Sequence, residues 1–179
     1  MSGEAEELAR LLAGQDPGPV EKAGATRMLS VIAGGPVTAE MHVHARPLLT
    51  ARRRRLLQAA GQDVHERRGR LVDEHGATVA DTTAWVVTGR VPAGARLALG
   101  ITPDGVRHAD GKGTPLGSAL AGCGVTRDQG PVTLEPAPCG GSAVVSAALL
   151  RLIGGTPLAL VHETVCARWL AAHPPPWPL

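Results

Sequence analysis

The chain has 179 residues, of which 44% are hydrophobic and 19% charged, so it can form a sizeable core and is neither largely disordered, collagen-like nor a coiled coil. Three Trp with no Phe or Tyr are too few rings for stacking single-stranded nucleic acid. The net charge is +2 and almost all the positive charge is arginine, whose planar fork suits a small anion better than DNA.

The cysteines and the N-terminal residues point to a compartment. Cys123, Cys139 and Cys166 are odd in number and form no Cys-x-x-Cys pair, so neither a disulfide framework nor a zinc site is expected. The N-terminal residues are acidic and polar, and the apolar stretch Ala143–Leu150 is interrupted by Ser146. We therefore predict a cytoplasmic protein with no signal peptide, no membrane span and no nucleic-acid partner.

Two helices are predicted first, followed by a strand. Leu8, Leu11 and Leu12 recur at helical spacing, and after a breaker at Gln15–Pro19 a second amphipathic stretch covers about Val20–Ile32. The pattern then changes to strict alternation of apolar and polar residues, which predicts a half-buried strand; its members are Met41, Val43 and Ala45 against His42, His44 and Arg46.

The rest of the chain predicts mostly antiparallel strands and loops. Ser142–Ile153 is ambiguous, because Ala and Leu favour a helix whereas the Val pair and the following Gly pair favour a hairpin. Thr114 is expected to cap a short helix that has Pro115 at its first position. The other expected segments are a helical turn at Arg52–Arg55, hairpin strands at Val64–Asp73 and Thr78–Thr88, a loop-rich region at Pro92–Gly113, a strand at Pro157–Cys166 and a proline-rich tail at His173–Pro178. With no repeat or linker, we predict one α+β domain over residues 1–179.

Two candidate features have ordinary explanations. The arginine run Arg52–Arg55 is typical of a solvated face, with steering of an anionic ligand as the alternative. His42 and His44 share a strand face and could form half of a metal site, but no third ligand has a recognisable spacing. We therefore predict no metal. No nucleotide-binding or Ser/His/Asp motif is present.

Two further features place charge in predicted strands. Alternation puts Arg68 and Arg70 on one face and Arg67 on the other, and an inward arginine must be paired or bind an anion. Glu163 follows apolar residues in the last strand and is costly there unless it meets a donor. That donor is either Arg68 across the sheet or a substrate hydroxyl, so the pair is structural as readily as functional.

Four pieces of sequence together resemble the chorismate lyase family over about residues 28–170. They are Arg68 before the Leu71–Gly76 turn, Thr114-Pro115-Leu116-Gly117, Thr126-Arg127-Asp128, and Glu163 after Gly155-Thr156-Pro157-Leu158. The resemblance implies a single antiparallel sheet with helices over an enclosed site. Residues 1–27 then form an N-terminal helical extension and residues 171–179 a tail.

The resemblance also implies a function. Such enzymes are monomeric, cofactor-independent carbon–oxygen lyases that convert chorismate to 4-hydroxybenzoate and pyruvate for biosynthesis. In this chain Arg68 would hold the ring carboxylate and Glu163 would sit at the ring hydroxyl. The Leu116 amide would bind the carboxylate, with a further backbone contact near Val37 or Thr38. The expected ligand is a small anionic aromatic or cyclohexadiene carboxylate, on chorismate or on a related ring carboxylate of secondary metabolism.

Arg127 of the third motif is a further expected substrate-binding residue. The chain departs from the family in three places. Arg151 is the one charged residue of Ala143–Leu152, where family members carry more arginines. The spacing from Pro157 to Glu163 is one residue longer than expected, so without a bulge His162 would face inward instead. The loops after Thr88 and Asp128 are expected to be long.

A second hypothesis assigns the chain to a different class of protein. Effector domains of some bacterial transcription regulators share this fold and bind small aromatic acids without catalysis. They follow a winged helix-turn-helix domain, and the residues before the matching region are too few to form one. The lyase is therefore the first expectation and the binding module the alternative.

Overall fold

Antiparallel strands dominate the computed structural model, which describes residues 3–14, 18–19, 25–102, 105–106, 111–137 and 141–174. The helices are α1 (Gly3–Ala13), α2 (Ala25–Ala33), α3 (Ala51–Leu57), α4 (Ala93–Arg96), α5 (Leu116–Ala119) and α6 (Ala167–Ala172). The strands are β1 (Gly18–Pro19), β2 (Thr38–Ala45), β3 (Val64–Val72), β4 (Thr78–Val87), β5 (Ile101–Thr102), β6 (Gly105–Val106), β7 (Gly111–Gly113), β8 (Thr126–Pro136), β9 (Ser142–Arg151) and β10 (Pro157–Val165).

Within the described residues, eight strands form one sheet in the order β1-β8-β9-β10-β4-β3-β2-β7, and strands adjacent in this order run antiparallel. Strands β5 and β6 form a separate two-stranded ribbon. One antiparallel sheet with helices confirms the predicted α+β fold class.

The two faces of the main sheet carry different residues, because side chains alternate along each strand. The inner face, which α1 and α2 cover, is defined here by Arg67, Thr82, Leu150 and Glu163. The outer face is the opposite one and carries Trp85, beneath α3. Neighbouring residues of one strand therefore reach different environments.

The buried side chains of the described residues form three hydrophobic clusters. Two cover the inner face, one around Leu8, Leu29 and Trp169 and the other around Leu120 and Leu158. The third lies on the outer face and contains residues from α3, β3, β4 and β10, namely Leu57, Val64, Trp85, Val87 and Leu160. The candidate site lies where the first two clusters meet.

The N-terminal predictions agree with the structure where it describes them. Helix α1 contains Leu8, Leu11 and Leu12, and the alternating stretch is β2, with Met41 buried and His42 exposed. The second helix begins at Ala25, while residues 20–24 of its predicted start lie outside the described residues. Cys139, residues 175–178 of the predicted tail and the side chain of His44 also lie outside them.

Three details differ from the predictions or resolve them. The helix expected to be capped by Thr114 has Pro115 at its N-cap, with no side-chain hydrogen bond, and begins at Leu116. The ambiguous Ser142–Ile153 stretch is strand β9, which turns into β10 through Gly154 and Gly155, both with positive φ. Glycine adopts this conformation without the clash of a Cβ, so the Gly pair determines the hairpin.

The segment after Asp128 is a strand and not a long loop. Gly130 and Pro131 look like breakers in the sequence, but the pairing of β8 with β9 shifts register between Gln129 and Val132 and absorbs them. Helix α6 follows Cys166 and was not predicted. None of the helices in the described part of the chain is long and apolar enough to cross a membrane.

Candidate functional site

In the part of the chain that the structure describes, three charged side chains are buried on the inner face of the sheet. Arg67 of β3, Arg127 of β8 and Glu163 of β10 are 6%, 4% and 5% exposed. Charged groups are rarely buried this fully unless they are paired or bind something. Their common location therefore marks the candidate site.

A bulge at the start of β10 determines which residue faces the site. The pairing of β10 with β9 shifts register between Pro157 and Ala159, which absorbs the extra residue noted in the sequence. Glu163 then aligns with Thr82 of β4 and Ser146 of β9 on the inner face. His162, the alternative inward residue, lies against Trp85 on the outer face, with ring centroids 5.2 Å apart.

Arg127 and Glu163 form a buried ion pair. Arg127 Nη2 donates to Glu163 Oε2 at 3.0 Å and also to Gln129 Oε1 at 3.2 Å. Gln129 is held in turn, because its Nε2 donates to the Ala147 carbonyl at 2.9 Å. Each charge of this pair is balanced by the other, and the amide fixes the orientation of the guanidinium.

Arg67 is the unbalanced charge of the site. Its Nη2 donates to the Thr114 carbonyl at 3.4 Å, which is long for a hydrogen bond, and no carboxylate of the described residues pairs with it. Burial lowers the pKa of Arg67 to about 10, so the guanidinium remains protonated at neutral pH. The two arginines and one glutamate therefore leave a net charge of +1 in the site.

Two polar atoms here are buried without a hydrogen-bond partner among the described residues. They are Arg67 Nε and Ser146 Oγ. Ser146 is 2% exposed and stands beside Glu163 in the sheet. Buried donors normally find partners in protein or in ordered water, so Arg67 Nε, whose side chain lines the cavity, is available to a bound molecule.

A small cavity is lined by the three buried charged side chains, Arg67, Arg127 and Glu163. Its volume is about 40 Å³, which is room for one or two water molecules. The sheet provides the floor, and Ala25 and Thr26 of α2 face the Pro115–Gly117 segment across it. Apart from the charged groups and two threonines the lining is apolar; it includes Ala39, Met41, Leu71, Ala84, Leu150 and Val161.

The expected role of Arg68 needs a correction, since the structure places this residue on the outer face. Its side chain is 59% exposed and its Nε contacts Glu66 Oε1. Leu71 lies in the inner core, and in a strand the residues two and four positions before it, Gly69 and Arg67, share its face. Arg67 thus occupies the position expected for Arg68.

The other expected site residues divide between the cavity and its surroundings. Leu116, Arg127 and Glu163 line the cavity. Val37 is buried in the core and Thr38 is exposed, and neither lines it; Ala39 and Met41 of the same strand do. The backbone contact expected near Val37 or Thr38 therefore lies just before the residues of β2 that line the cavity.

Sequence reasoning missed Arg67, Gln129 and Ser146. The signal for Arg67 was the alternation that separates it from Arg68. Gln129 and Ser146 carried no signal, because their roles depend on which strands become neighbours.

Two further sequence features lie away from the cavity. Arg151 donates to Asp128 Oδ2 at 2.5 Å and to the Gly155 carbonyl at 2.8 Å, so it holds the β9–β10 hairpin. No cluster of three or more His, Cys, Asp or Glu suited to a metal ion occurs in the ranges that the structure describes. His42 is exposed on β2.

Comparison with known proteins finds similarity at the level of structure. No protein-family model and no curated protein sequence matches. The effector domain of PhnF from Mycobacterium smegmatis is 9% identical, with 74% of this chain and 82% of that chain covered and a TM-score of 0.55. The PhnF structure from the same organism is 12% identical, with 92% and 94% covered and a TM-score of 0.55.

A third structure belongs to the same class. The ligand-binding domain of a GntR-family transcriptional regulator from Bordetella bronchiseptica is 16% identical, with 74% of this chain and 85% of that chain covered and a TM-score of 0.51. At these identities the likeness shows the fold, which is the chorismate lyase-like fold of GntR effector domains.

This comparison corrects the expected function. The prediction of an enzyme, a carbon–oxygen lyase that forms 4-hydroxybenzoate and pyruvate from chorismate, is wrong, because the similar structures are ligand-binding domains of regulators.

Proposed function

We propose that this chain is a non-catalytic ligand-binding domain, and that its inner cavity binds a small organic monoanion through Arg67. The observation that supports this most is the guanidinium of Arg67, 6% exposed and without a carboxylate partner among the described residues. A buried charge of this kind is costly until an anion neutralises it.

The charge of the site selects the ligand class. Arg67, Arg127 and Glu163 sum to +1, so one carboxylate brings the site to zero, whereas a dianion leaves an excess negative charge in a buried place. A planar carboxylate also matches the two parallel N–H groups of an arginine fork. The ligand is therefore a monocarboxylate.

The remaining lining determines the body of that ligand. Met41, Leu116, Leu150 and Val161 present apolar surface, which suits an aromatic or aliphatic body better than a sugar. The free volume of about 40 Å³ is far below the several hundred typical of ligand pockets. Binding an aromatic acid thus requires α2 and the Pro115–Gly117 segment to move apart, and the ligand-free protein corresponds to a closed state.

The similar structures support a binding role. They are the ligand-binding domain of a transcriptional regulator and the effector domain of PhnF, and they are similar to this chain in fold. The fold alone does not identify a ligand, which is why the proposal depends on the charges of this cavity.

The test is calorimetric titration of the protein with benzoate and 4-hydroxybenzoate, with 4-hydroxybenzyl alcohol as the neutral analogue. Arg67→Gln is expected to weaken carboxylate binding at least tenfold, because it removes a charge-assisted, desolvated contact. Arg68→Gln is the matched control, since it removes the same charge one residue away on the exposed face, and should change the affinity less than twofold.

Three outcomes contradict the proposal. The first is binding of the alcohol as tightly as the acid, and the second is equal loss of affinity in the two variants. The third is release of pyruvate when the protein is incubated with chorismate, because the proposed domain performs no chemistry.

A further inference from the structure

A second hollow lies on the outer face of the sheet, on the opposite side from the cavity. Its volume is about 570 Å³, within the range of small-molecule pockets. Helix α3 forms one wall with Arg52, Arg53 and Leu56, and β8, β9 and β10 form the floor. This hollow is called the outer groove below.

The floor of the outer groove is mainly apolar. Val145, Ala147 and Leu149 of β9 lie beside Leu160 of β10, and Leu56 of α3 adds a partly exposed side chain. Apolar surface that lies open next to a helix gains free energy when a hydrophobic body covers it. The groove is therefore suited to an apolar group.

The wall of the groove supplies positive charge. Among the described residues no carboxylate forms an ion pair with Arg52 or Arg53, whereas Arg151 at the far end is already paired with Asp128. The guanidinium carbon of Arg53 lies 3.8 Å from the centroid of the Trp85 ring, a cation–π contact that holds this arginine beside the floor. Two arginines thus stand unpaired at one edge of an apolar surface.

The other charged groups near this wall do not neutralise the positive charge of Arg52 and Arg53. The indole N–H of Trp85 donates to Glu66 Oε2 at 2.6 Å, and Arg68 contacts the other oxygen of the same carboxylate, so Glu66 is occupied. Burial, followed by the charges of Arg53 and Arg52, lowers the pKa of His162, which is therefore neutral at pH 7. The excess charge of the groove comes from α3.

We propose that the outer groove is a second ligand site, and that it binds an amphipathic carboxylate whose head lies between Arg52 and Arg53 and whose apolar body covers Leu160 and the β9 floor. The four arginines of the run then divide into two pairs that face different surfaces of α3. Arg52 and Arg53 line this groove, whereas Arg54 and Arg55 face a different hollow beside Leu49 and Gln58.

This site is separate from the inner cavity but adjacent to it through the sheet. His162 lines the groove and Glu163, the next residue, lines the cavity. The two sites share no charged side chain, since Arg67, Arg127 and Glu163 belong to the cavity and Arg52 and Arg53 to the groove. Substitution of the charged residues of one site therefore leaves the charged residues of the other site in place.

The experiment is a titration of the protein with 4-phenylbutyrate, followed by calorimetry and by NMR of the Trp85 indole and His162 imidazole signals. 4-Phenylbutanol is the neutral analogue. The double variant Arg52→Gln/Arg53→Gln is expected to weaken 4-phenylbutyrate binding at least tenfold. The double variant Arg54→Gln/Arg55→Gln is the matched control, because it removes the same charge from the same helix, and should change the affinity less than twofold.

Further arms separate this site from the inner cavity. Arg67→Gln should leave unchanged the 4-phenylbutyrate-dependent shifts of the Trp85 and His162 signals and the affinity that those shifts report, even where it weakens benzoate binding at least tenfold. If the Arg52 and Arg53 double variant melts at a lower temperature than the wild type, the single change Arg52→Gln at the exposed position replaces it, with a loss of at least threefold expected.

The proposal is overturned if both double variants lose affinity equally, since the arginines then act only as a diffuse charge. It is also overturned if 4-phenylbutanol binds as well as the acid, if the Trp85 and His162 signals do not move, or if Arg67→Gln abolishes the binding.

Discussion

At the scale of single residues, Arg67 carries a free-energy cost, because its guanidinium is charged and buried without a carboxylate partner among the described residues. Burial lowers the pKa of Arg67 to about 10, well below the ordinary value of an arginine. At about 1.4 kcal/mol for each pH unit, this places the cost of the charged form on the order of 3 kcal/mol. A residue that destabilises the free protein and faces a cavity is better explained by a ligand than by stability.

Replacing Arg67 by Met should therefore stabilise the ligand-free protein. The expected gain in the free energy of unfolding at pH 7 is about 1 to 3 kcal/mol, because an apolar side chain of similar length removes an unpaired buried charge. The pKa of Arg67 is lower in the folded protein than in the unfolded chain, so the guanidinium loses its proton at a lower pH in the folded protein. Wild-type stability then increases relative to the variant between about pH 9 and 11.

The measurement is thermal or urea unfolding of both proteins from pH 7 to pH 11 without ligand. Arg54→Met is the control, because Arg54 is exposed and forms no ion pair among the described residues, so its removal neither relieves nor exposes a buried charge. A variant Arg67→Met that is less stable than the wild type at pH 7 would show that the guanidinium is satisfied in the free protein.

At the scale of elements, β3 is pressed closely between its neighbours. It pairs with β2 on one side and β4 on the other, and a Cβ built at Gly69 would overlap the Glu40 carbonyl and lie 3.0 Å from Met41 Sδ. The backbone of β2 therefore approaches β3 more closely than any other residue allows. This approach occurs next to the β2 register shift between Met41 and Val43 and places Met41 in the cavity lining.

Gly69→Ala should destabilise the protein by about 1 to 3 kcal/mol, since the backbone of β2 must move to accept the methyl group. Chemical unfolding measures the loss. Gly94→Ala is the control: its Cβ meets nothing within 4 Å and it lies in helix α4, so it should be neutral or slightly stabilising. Equal effects of the two changes would mean that the close approach at Gly69 has no energetic weight.

The elements also show what the sequence could predict. Strands such as β2 and β4 and helix α1 were predictable because hydrophobic period reports local structure directly. The face of each charge in β3 was not, since the strand has apolar residues of both parities in Leu71 and Val72, and either parity gives Arg67 or Arg68 an inward position. The face of β3 therefore decides whether Arg67 or Arg68 lines the cavity, and the sequence does not fix that face.

The candidate site was predictable to a similar extent. Glu163, Arg127 and Leu116 were identified from motifs and line the cavity. The ion pair of Arg127 with Glu163 was not predicted, because it joins strands that are neighbours only through the intervening β9. The function was not predictable from the resemblance, because a fold does not determine a function and the solved structures with a similar fold are ligand-binding or effector domains.

At the scale of the whole molecule, the two ends of the described chain close over the inner face. Helix α6 packs against α1 and β4, and Trp169, 4% exposed, donates its indole N–H to Asp73 Oδ2 at 3.1 Å. Asp73 also accepts the backbone N–H groups of His75 and Ala77 in the β3–β4 turn. One carboxylate therefore ties the C-terminal helix to the hairpin that carries Arg67.

The pKa of Asp73 records this arrangement. Burial raises it, but the hydrogen bonds from Ala77, Trp169 and His75, together with the charge of His75, outweigh burial and lower the pKa below its ordinary value. A carboxyl with a lowered folded-state pKa stabilises the protein above its unfolded pKa of about 4. That stabilisation is lost as pH falls through the lowered value.

Asp73→Asn should cost about 1 to 3 kcal/mol of unfolding free energy at pH 7, because a charged acceptor of three hydrogen bonds becomes a neutral one. The difference from the wild type should shrink as pH falls from about 4 to 2, where the native carboxyl also becomes neutral. Unfolding curves across this range measure it, with the exposed Asp81→Asn of β4 as the control. A constant difference at every pH would assign the loss to altered packing of the amide and not to the charge. The contacts indicate that this carboxylate ties α6 to the hairpin, so Trp169 should be more exposed to solvent in the variant at pH 7. The tryptophan emission of the variant should then lie at a longer wavelength than that of the wild type at pH 7, and the two emission spectra should converge in acid.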